Sequence, residues 1–312
     1  MLSRLLDICF KKYALSTRTI FISAFCCLMP LLLSGCKLAM LDPQGLIATE
    51  EKHILVISVF LMLLIVVPVI SLIFLFAWWY RAGNTKAHYA PDWSHSTLLE
   101  VVWWSIPCII IAILGTITWT SSHSLDPYKS INVDNKKPLT IEVIALQWKW
   151  LFIYPEQNIA TINTIQIPVN TPVRFLITAE GPMNSFQIPQ LAGQIYAMTG
   201  MQTKLHVIAN KVGDYRGISA NFSGNGFSDM MFTVHASSQE QFAQWVKTVK
   251  RSPTFLTLAT YNQLMTPSEK NPIQYFSVAD KTLFQMALMK PMMPEKEIAA
   301  LCKTNANKTR EA

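Results

Sequence analysis

Between Cys108 and Cys302 the chain contains no cysteine. A domain folded from that stretch has no disulfide and no thiolate ligand to offer a metal. Charge is scarce too: Asp, Glu, Lys and Arg make up 14% of the 312 residues, against 51% hydrophobic ones, which is lean for a soluble protein. No run of Lys or Arg with interleaved aromatics occurs, which argues against nucleic-acid binding. Part of the formal net charge of +7 sits in residues 1–36, where Arg4, Lys11, Lys12 and Arg18 face one acid, Asp7. Without them 22 basic and 18 acidic residues remain. Internal repeats and low-complexity tracts are missing, and the length leaves room for more than one domain.

What is present begins with a leader. Residues 1–18 are basic, and 19–33 form an apolar stretch of about fifteen residues, the length of a signal-peptide core rather than of a membrane span. It ends Leu33-Ser34-Gly35-Cys36, which resembles a bacterial lipobox. That resemblance implies a cleaved lipoprotein signal peptide over 1–35 and a lipid-modified Cys36 at the mature N-terminus. The competing reading is an uncleaved anchor with an incidental cysteine; Pro30 and the short apolar core argue against it. Residues 54–80 and 101–122 carry no charge, and each run is long enough to cross about 30 Å of hydrocarbon. Trp78, Trp79, Tyr80, Trp103, Trp104 and Trp119 cluster near the ends, where interfacial aromatics sit. The loop between the runs carries Arg81 and Lys86 against Asp92, so the positive-inside rule puts the loop inside and everything after residue 123 outside. Residues 36–123 are thus expected to form a lipid-anchored N-terminus and a two-helix transmembrane hairpin. Pro68 and Pro107 are expected to kink the two helices.

From about 138 to 236 the pattern changes to short strands. Segments starting at Leu139, Val173 and Lys204 are rich in β-branched residues and partly alternate in polarity. Turn signals separate them, among them Gly181-Pro182, Gly213-Asp214 and Gly224-Asn225-Gly226. Strands at this spacing predict a sandwich or barrel of about 100 residues, bounded at 124–236. Beyond Ser237 the spacing turns helical, with Phe242, Trp245, Val246 and Val249 on one face. A second short helix is expected around 281–289, so 237–312 reads as a helical extension and a polar tail.

Several motifs then point one way. Residues 215–230 read Tyr-Arg-Gly-Ile-Ser-Ala-Asn-Phe-Ser-Gly-Asn-Gly-Phe-Ser-Asp-Met. They have the spacing of a dinuclear-copper loop, in which Cys, Cys, His and Met succeed one another at intervals of four, four and three. Ser219, Ser223, Phe227 and Met230 hold those places here. Leu41-Asp-Pro-Gln-Gly comes after the lipobox, and Pro91-Asp-Trp-Ser-His-Ser precedes a span that opens Glu100-Val-Val-Trp. Further on come Gln147-Trp-Lys-Trp-Leu-Phe and Met183-Asn-Ser-Phe-Gln-Ile-Pro. In this order the motifs resemble subunit II of the heme-copper oxidases, specifically the cytochrome o (bo-type) ubiquinol oxidase branch. The match covers roughly residues 33 to 290.

The resemblance implies a cupredoxin-like sandwich for the β domain, which strand pattern alone does not distinguish from other sandwiches. It also implies that Asn184 stands where copper-bearing relatives have their first His ligand, and Asn221 where they have a Glu. Electron-transfer copper needs thiolate and imidazole donors, so a metal-free domain is expected, with Met230 as core filler. His206 and His235 lie outside the motif positions and read as structural or exposed. Trp148 and Trp150 have no copper to serve and are expected to pack against a membrane-embedded partner. Glu100, at the mouth of the second span, corresponds to the cytoplasmic entrance of a proton channel into the large subunit; the competing reading is a carboxylate favoured by the helix dipole.

The chain is therefore expected to be subunit II of a proton-pumping ubiquinol oxidase of the bacterial inner membrane. The resemblance places hemes and copper on a partner large subunit, adds further small membrane subunits, and makes ubiquinol the substrate of the complex. This chain itself is expected to bind no cofactor. Two rivals stand against it. A cytochrome c oxidase electron-entry module lacks support, because the ligands are missing and residues 127–250 hold ten basic and seven acidic residues, whereas docking a basic cytochrome c calls for an acidic face. The other is a stand-alone membrane-anchored lipoprotein that binds a periplasmic partner.

Overall fold

In hydrocarbon no water satisfies backbone N–H and C=O groups, so a long apolar run has to close its hydrogen bonds within itself as a helix. The computed structural model describes residues 38–88, 90–133 and 136–292, and two helices cover the apolar runs. Helix α1 is Leu46–Trp79 and α2 is Thr97–Ser124. Most of their side chains are exposed, Ala48 and Ile110 being the buried ones. Such surfaces are stable only against lipid or other apolar helices. Pro68 and Pro107 lie inside the helices, a placement that membrane spans tolerate. The expected signal peptide, Cys36 and the polar tail from 303 lie outside the described residues.

The chain divides after Asp42. Of the first unit, the described part is a single 3-10 turn, Ala39–Leu41. The second unit, from Pro43 onward, holds both helices and the β domain.

The β domain is a sandwich. Its strands are β1 (Leu139–Leu146), β2 (Lys149–Tyr154), β3 (Ile159–Ile162), β4 (Thr164–Pro168), β5 (Val173–Ala179), β6 (Asn184–Ile188), β7 (Ala192–Ala197), β8 (Thr203–Val207), β9 (Gly213–Ser219) and β10 (Met231–Ser237). One sheet runs β3-β2-β1-β5-β8, with a strand from the C-terminal region added beyond β3; the other runs β4-β10-β9-β6-β7. Between them lies an aromatic core. Phe186 and Phe232 stack with centroids 4.9 Å apart, Trp150 meets Phe186 edge-on at 5.3 Å, and Phe152 lies 5.2 Å from Phe232. Pairs like these add about 0.5–1.5 kcal/mol each beyond the area they bury.

The C-terminal region continues as α3 (Gln239–Val249), β11 (Phe255–Leu256), α4 (Leu258–Leu264), β12 (Gln274–Phe276), β13 (Val278–Ala279) and α5 (Leu283–Met289). Helix α3 starts with a full capping box, Ser238 and Gln241 satisfying each other's backbone N–H groups, and buries Phe242 and Val249. Three short strands interrupt the helical pattern read from the sequence. Of these, β12 pairs antiparallel with β3 and extends the first sheet. The segment then lies across that sheet's outer face, where Leu256, Tyr261, Phe276, Leu283, Phe284 and Ala287 form a second core with Ile144, Leu146, Leu151, Ile153, Ala160 and Ile162.

Candidate functional site

The loop with copper-site spacing joins β9 to β10 and holds a 3-10 turn, Phe227–Asp229. Most of its ligand positions are committed to other contacts. Ser219 Oγ donates to Asn184 Oδ1 at 2.8 Å, both residues being buried, and Asn184 Nδ2 donates to the Pro182 carbonyl at 3.0 Å. Asn221 Nδ2 donates to the Met183 carbonyl at 3.0 Å. Phe227 packs edge-on against Phe222 at 5.6 Å, and Met230 is fully buried in the aromatic core. Ser223 Oγ is buried with no hydrogen-bond partner among the described residues. Two hydroxyls, a phenyl ring, a thioether and two amides do not make a copper-binding set, so the residues do not fit the dinuclear metal that the fold family suggests. Among the described residues no three His, Cys, Asp or Glu side chains gather at one point.

Trp148 occupies the β1–β2 turn at φ 63°, a left-handed conformation uncommon for a bulky residue. The turn lays its ring over the same loop. A Cβ on Gly226 would come within 2.6 Å of that ring, and the indole Nε1 donates to the Ser223 carbonyl at 3.1 Å. Glycine is what lets the ring close over the backbone there. Trp150 corrects an expectation. It is fully buried in the aromatic core and cannot pack against another subunit, because strand alternation sends its ring inward from β2.

Glu100 lies in the first turn of α2. Its side chain is 40% exposed, and Oε1 lies 2.7 Å from His95 Nδ1. The other ring nitrogen of His95 is 3.1 Å from Thr97 Oγ1. A carboxylate here gains from the helix dipole and stays open to solvent. The remaining histidines of the domain differ from each other. His206 is buried and donates Nδ1–H to the Pro127 carbonyl at 3.0 Å, whereas the partly exposed His235 sits 2.6 Å from Asp214 Oδ1 on the neighbouring strand.

Sequence reasoning missed the polar groups under the C-terminal segment. Lys149 is 2% exposed; its Nζ donates to the Thr266 carbonyl at 3.0 Å and to Ser268 Oγ at 2.5 Å, and burial lowers its pKa. Glu180 accepts from Tyr261 Oη and from Lys290 Nζ, both at 2.9 Å. Asn163 donates to the Asn271 carbonyl at 3.1 Å. One signal was available: Lys149 is a lone charge in an otherwise aromatic and aliphatic strand, a position that requires partners.

The comparisons with known proteins agree with this architecture. Residues 157–237 match the family described as cytochrome c oxidase subunit II, periplasmic domain, and residues 250–295 match the COX aromatic rich motif. The chain is 54% identical over 260 residues to cytochrome bo(3) ubiquinol oxidase subunit 2 of Pseudomonas putida, covering 83% of this chain and 82% of that one. It is 51% identical over 261 residues to ubiquinol oxidase subunit 2 of Acetobacter aceti, covering 83% and 85%. A third relative, cytochrome bo(3) ubiquinol oxidase subunit 2 of Buchnera aphidicola subsp. Baizongia pistaciae, is 46% identical over 281 residues, covering 89% and 96%. Identity at this level across more than four-fifths of its length means that the chain belongs to the ubiquinol oxidase subunit 2 branch of the heme-copper oxidase subunit II family.

Proposed function

We propose that this subunit holds no redox centre and serves its complex as a brace, a cap and a proton collector. In this reading α1 and α2 flank a large membrane subunit that carries the hemes and copper, further small membrane subunits complete the assembly, and the β domain caps it in the periplasm. The complex sits in the bacterial inner membrane, oxidises ubiquinol, reduces dioxygen to water and translocates protons. The observation that carries the reading is the donor set of the former copper loop: Asn184 and Ser219 bond each other, and Phe227 offers no lone pair. Near-infrared spectroscopy of the purified complex tests it. No dinuclear-copper absorption is expected, and its presence would show that this chain still carries the centre. Electron entry from cytochrome c is disfavoured by the same donor set and by the basic excess of the domain.

Glu100 is proposed as the collector at the mouth of a proton channel in the large subunit. Support comes from its place in the first turn of α2, its partial exposure and its hydrogen bond to His95. Glu100→Ala should lower quinol oxidase turnover by about an order of magnitude or more, as loss of a proton-transferring group does, with heme content unchanged. Glu100→Asp should keep more activity. Wild-type turnover in Glu100→Ala would reduce the carboxylate to a helix-end charge. Cys36 is proposed as the lipid-bearing mature N-terminus, and an unmodified cysteine by intact-mass analysis would refute that.

A further inference from the structure

A cavity of about 150 Å³ opens where both helices meet the β domain. Its walls are Ile47 and Glu51 from α1, Leu125, Asp126, Pro127 and Lys129 at and beyond the end of α2, Gly193 and Gln194 from β7, and Leu205 and His206 from β8. Backbone bonds hold these walls in place. Gln44 N–H donates to the Gln190 carbonyl at 2.8 Å, Asn210 N–H donates to the Gln44 carbonyl at 2.9 Å, and Ala48 N–H donates to the Leu191 carbonyl at 3.3 Å. On the other side, the bond from His206 Nδ1 to the Pro127 carbonyl fixes the 125–129 turn.

The cavity lies at headgroup height. The uncharged run 54–80 is about 40 Å long at 1.5 Å per residue, against about 30 Å of hydrocarbon and 40–45 Å with both headgroup layers. Glu51 precedes that run by three residues, and residues 125–129 come after the other uncharged run by the same interval. Both walls are therefore expected among lipid headgroups rather than among acyl chains or in open water. At this volume the cavity is smaller than the roughly 300–1,000 Å³ of pockets that enclose whole drug-sized ligands, so it suits one small polar group.

Its chemistry is lopsided inside and mixed at the mouth. Glu51 is partly buried and accepts the Gly193 N–H. No cation of the described residues lies within ion-pair distance of its carboxylate. A carboxylate withdrawn from water without a counter-charge is costly. The approach depends on glycine, since a Cβ at residue 193 would stand 2.6 Å from Glu51 Oε1. At the mouth are Lys129 and Asp126, both exposed, the latter accepting from the Tyr128 N–H at 2.9 Å.

We propose that this cavity binds the headgroup of one amine-bearing phospholipid, the ammonium paired with Glu51 and the phosphate with Lys129. The lipid supplies the counter-charge that no described residue brings within ion-pair distance of Glu51, and it closes the gap between the membrane hairpin and the β domain. Phosphatidylethanolamine fits this chemistry. Phosphatidylglycerol has no cation, and the choline headgroup cannot donate hydrogen bonds to a carboxylate.

The test uses the full-length chain in the complex with which it purifies, exchanged into nanodiscs of equal parts phosphatidylethanolamine, phosphatidylglycerol and phosphatidylcholine. Lipids retained after detergent washing are counted by native mass spectrometry. The wild type should retain one phosphatidylethanolamine that is lost about tenfold more readily from Glu51→Gln, since the neutral amide oxygen accepts the ammonium's bond without the opposite charge. Gly193→Ala should show the same loss, and Lys129→Ala a smaller one. Where Gly193→Ala fails to assemble, the near-isosteric Glu51→Gln and the surface Lys129→Ala decide. Equal retention of the three lipids overturns the proposal, as does unchanged retention in Glu51→Gln. So does release of another subunit by Glu51→Gln without lipid loss, which would assign the carboxylate to a protein partner.

Discussion

Strands β1, β2 and β3 are buried along almost their whole length on both faces, whereas β9 and β10 alternate between core and water. The outer face of the second sheet displays Asp214, Arg216, Thr233 and His235 at least partly to solvent. The corresponding face of the first sheet is sealed by the C-terminal segment, with Lys149 beneath it and Glu180 clamping Tyr261 and Lys290. A two-layer sandwich needs one buried face per sheet. The difference therefore identifies residues 255–289 as a third layer, integral to the domain rather than appended to it.

The comparison breaks most visibly at Phe284, 1% exposed in the second core. Phe284→Ala should destabilise the full-length chain by about 3–5 kcal/mol through lost burial and a residual cavity. His235→Ala, on the open sheet, should stay within about 0.5 kcal/mol of wild type. Thermal unfolding in detergent, followed by circular dichroism, measures both; equal effects would mean that the third layer is only loosely attached. Lys149→Met comes next. It keeps the aliphatic bulk but withdraws the donor from the Thr266 carbonyl and Ser268 Oγ, so a loss of about 1–3 kcal/mol is expected from acceptors left unsatisfied. Hydrogen exchange at 255–289 should rise in this variant while that of β9 and β10 stays put.

The strands of the open sheet obey the sequence pattern directly, because one wet face leaves its polar residues in register: Asp214 and Arg216 outward, Tyr215 and Gly217 inward. Strand β1 shows only partial alternation for the opposite reason. Ile141 and Val143 face one core, Ile144 and Leu146 face another, and two-sided burial erases the period of two that marks a strand. The same burial turned Trp150 inward, where a surface contact was expected. The residue types at the copper-loop positions are plain in the sequence, since ligand chemistry is a property of residue type. Their contacts are not, because the bond between Ser219 and Asn184 joins residues 35 apart in sequence. The carboxylate of Glu51 against Gly193 was hidden likewise, as neither residue signals alone that a helix and a strand bring them together.

The effect that reads the sealed face most directly is one of pH. Glu142 is the one position of β1 that is not fully buried, and its register neighbours, Ile153 on β2 and Leu176 on β5, are apolar. Arg174, on the same face, instead donates to Thr140 Oγ1 at 2.9 Å. Burial pushes the Glu142 carboxyl from its ordinary 4.5 up to about 7. Between those two values the folded chain keeps a proton that the unfolded chain has already released, so stability falls as pH rises through that window. The loss is absent below the unfolded value and complete above the folded one. Glu142→Gln has no proton to release and should lack this component. The difference in unfolding temperature between the variant and wild type, taken pH by pH, cancels every titration the two proteins share. It should grow in the variant's favour from about pH 5 to about pH 8 and then level off. Parallel curves across that range would mean that water reaches Glu142 freely and that the third layer leaves this end of the sheet open.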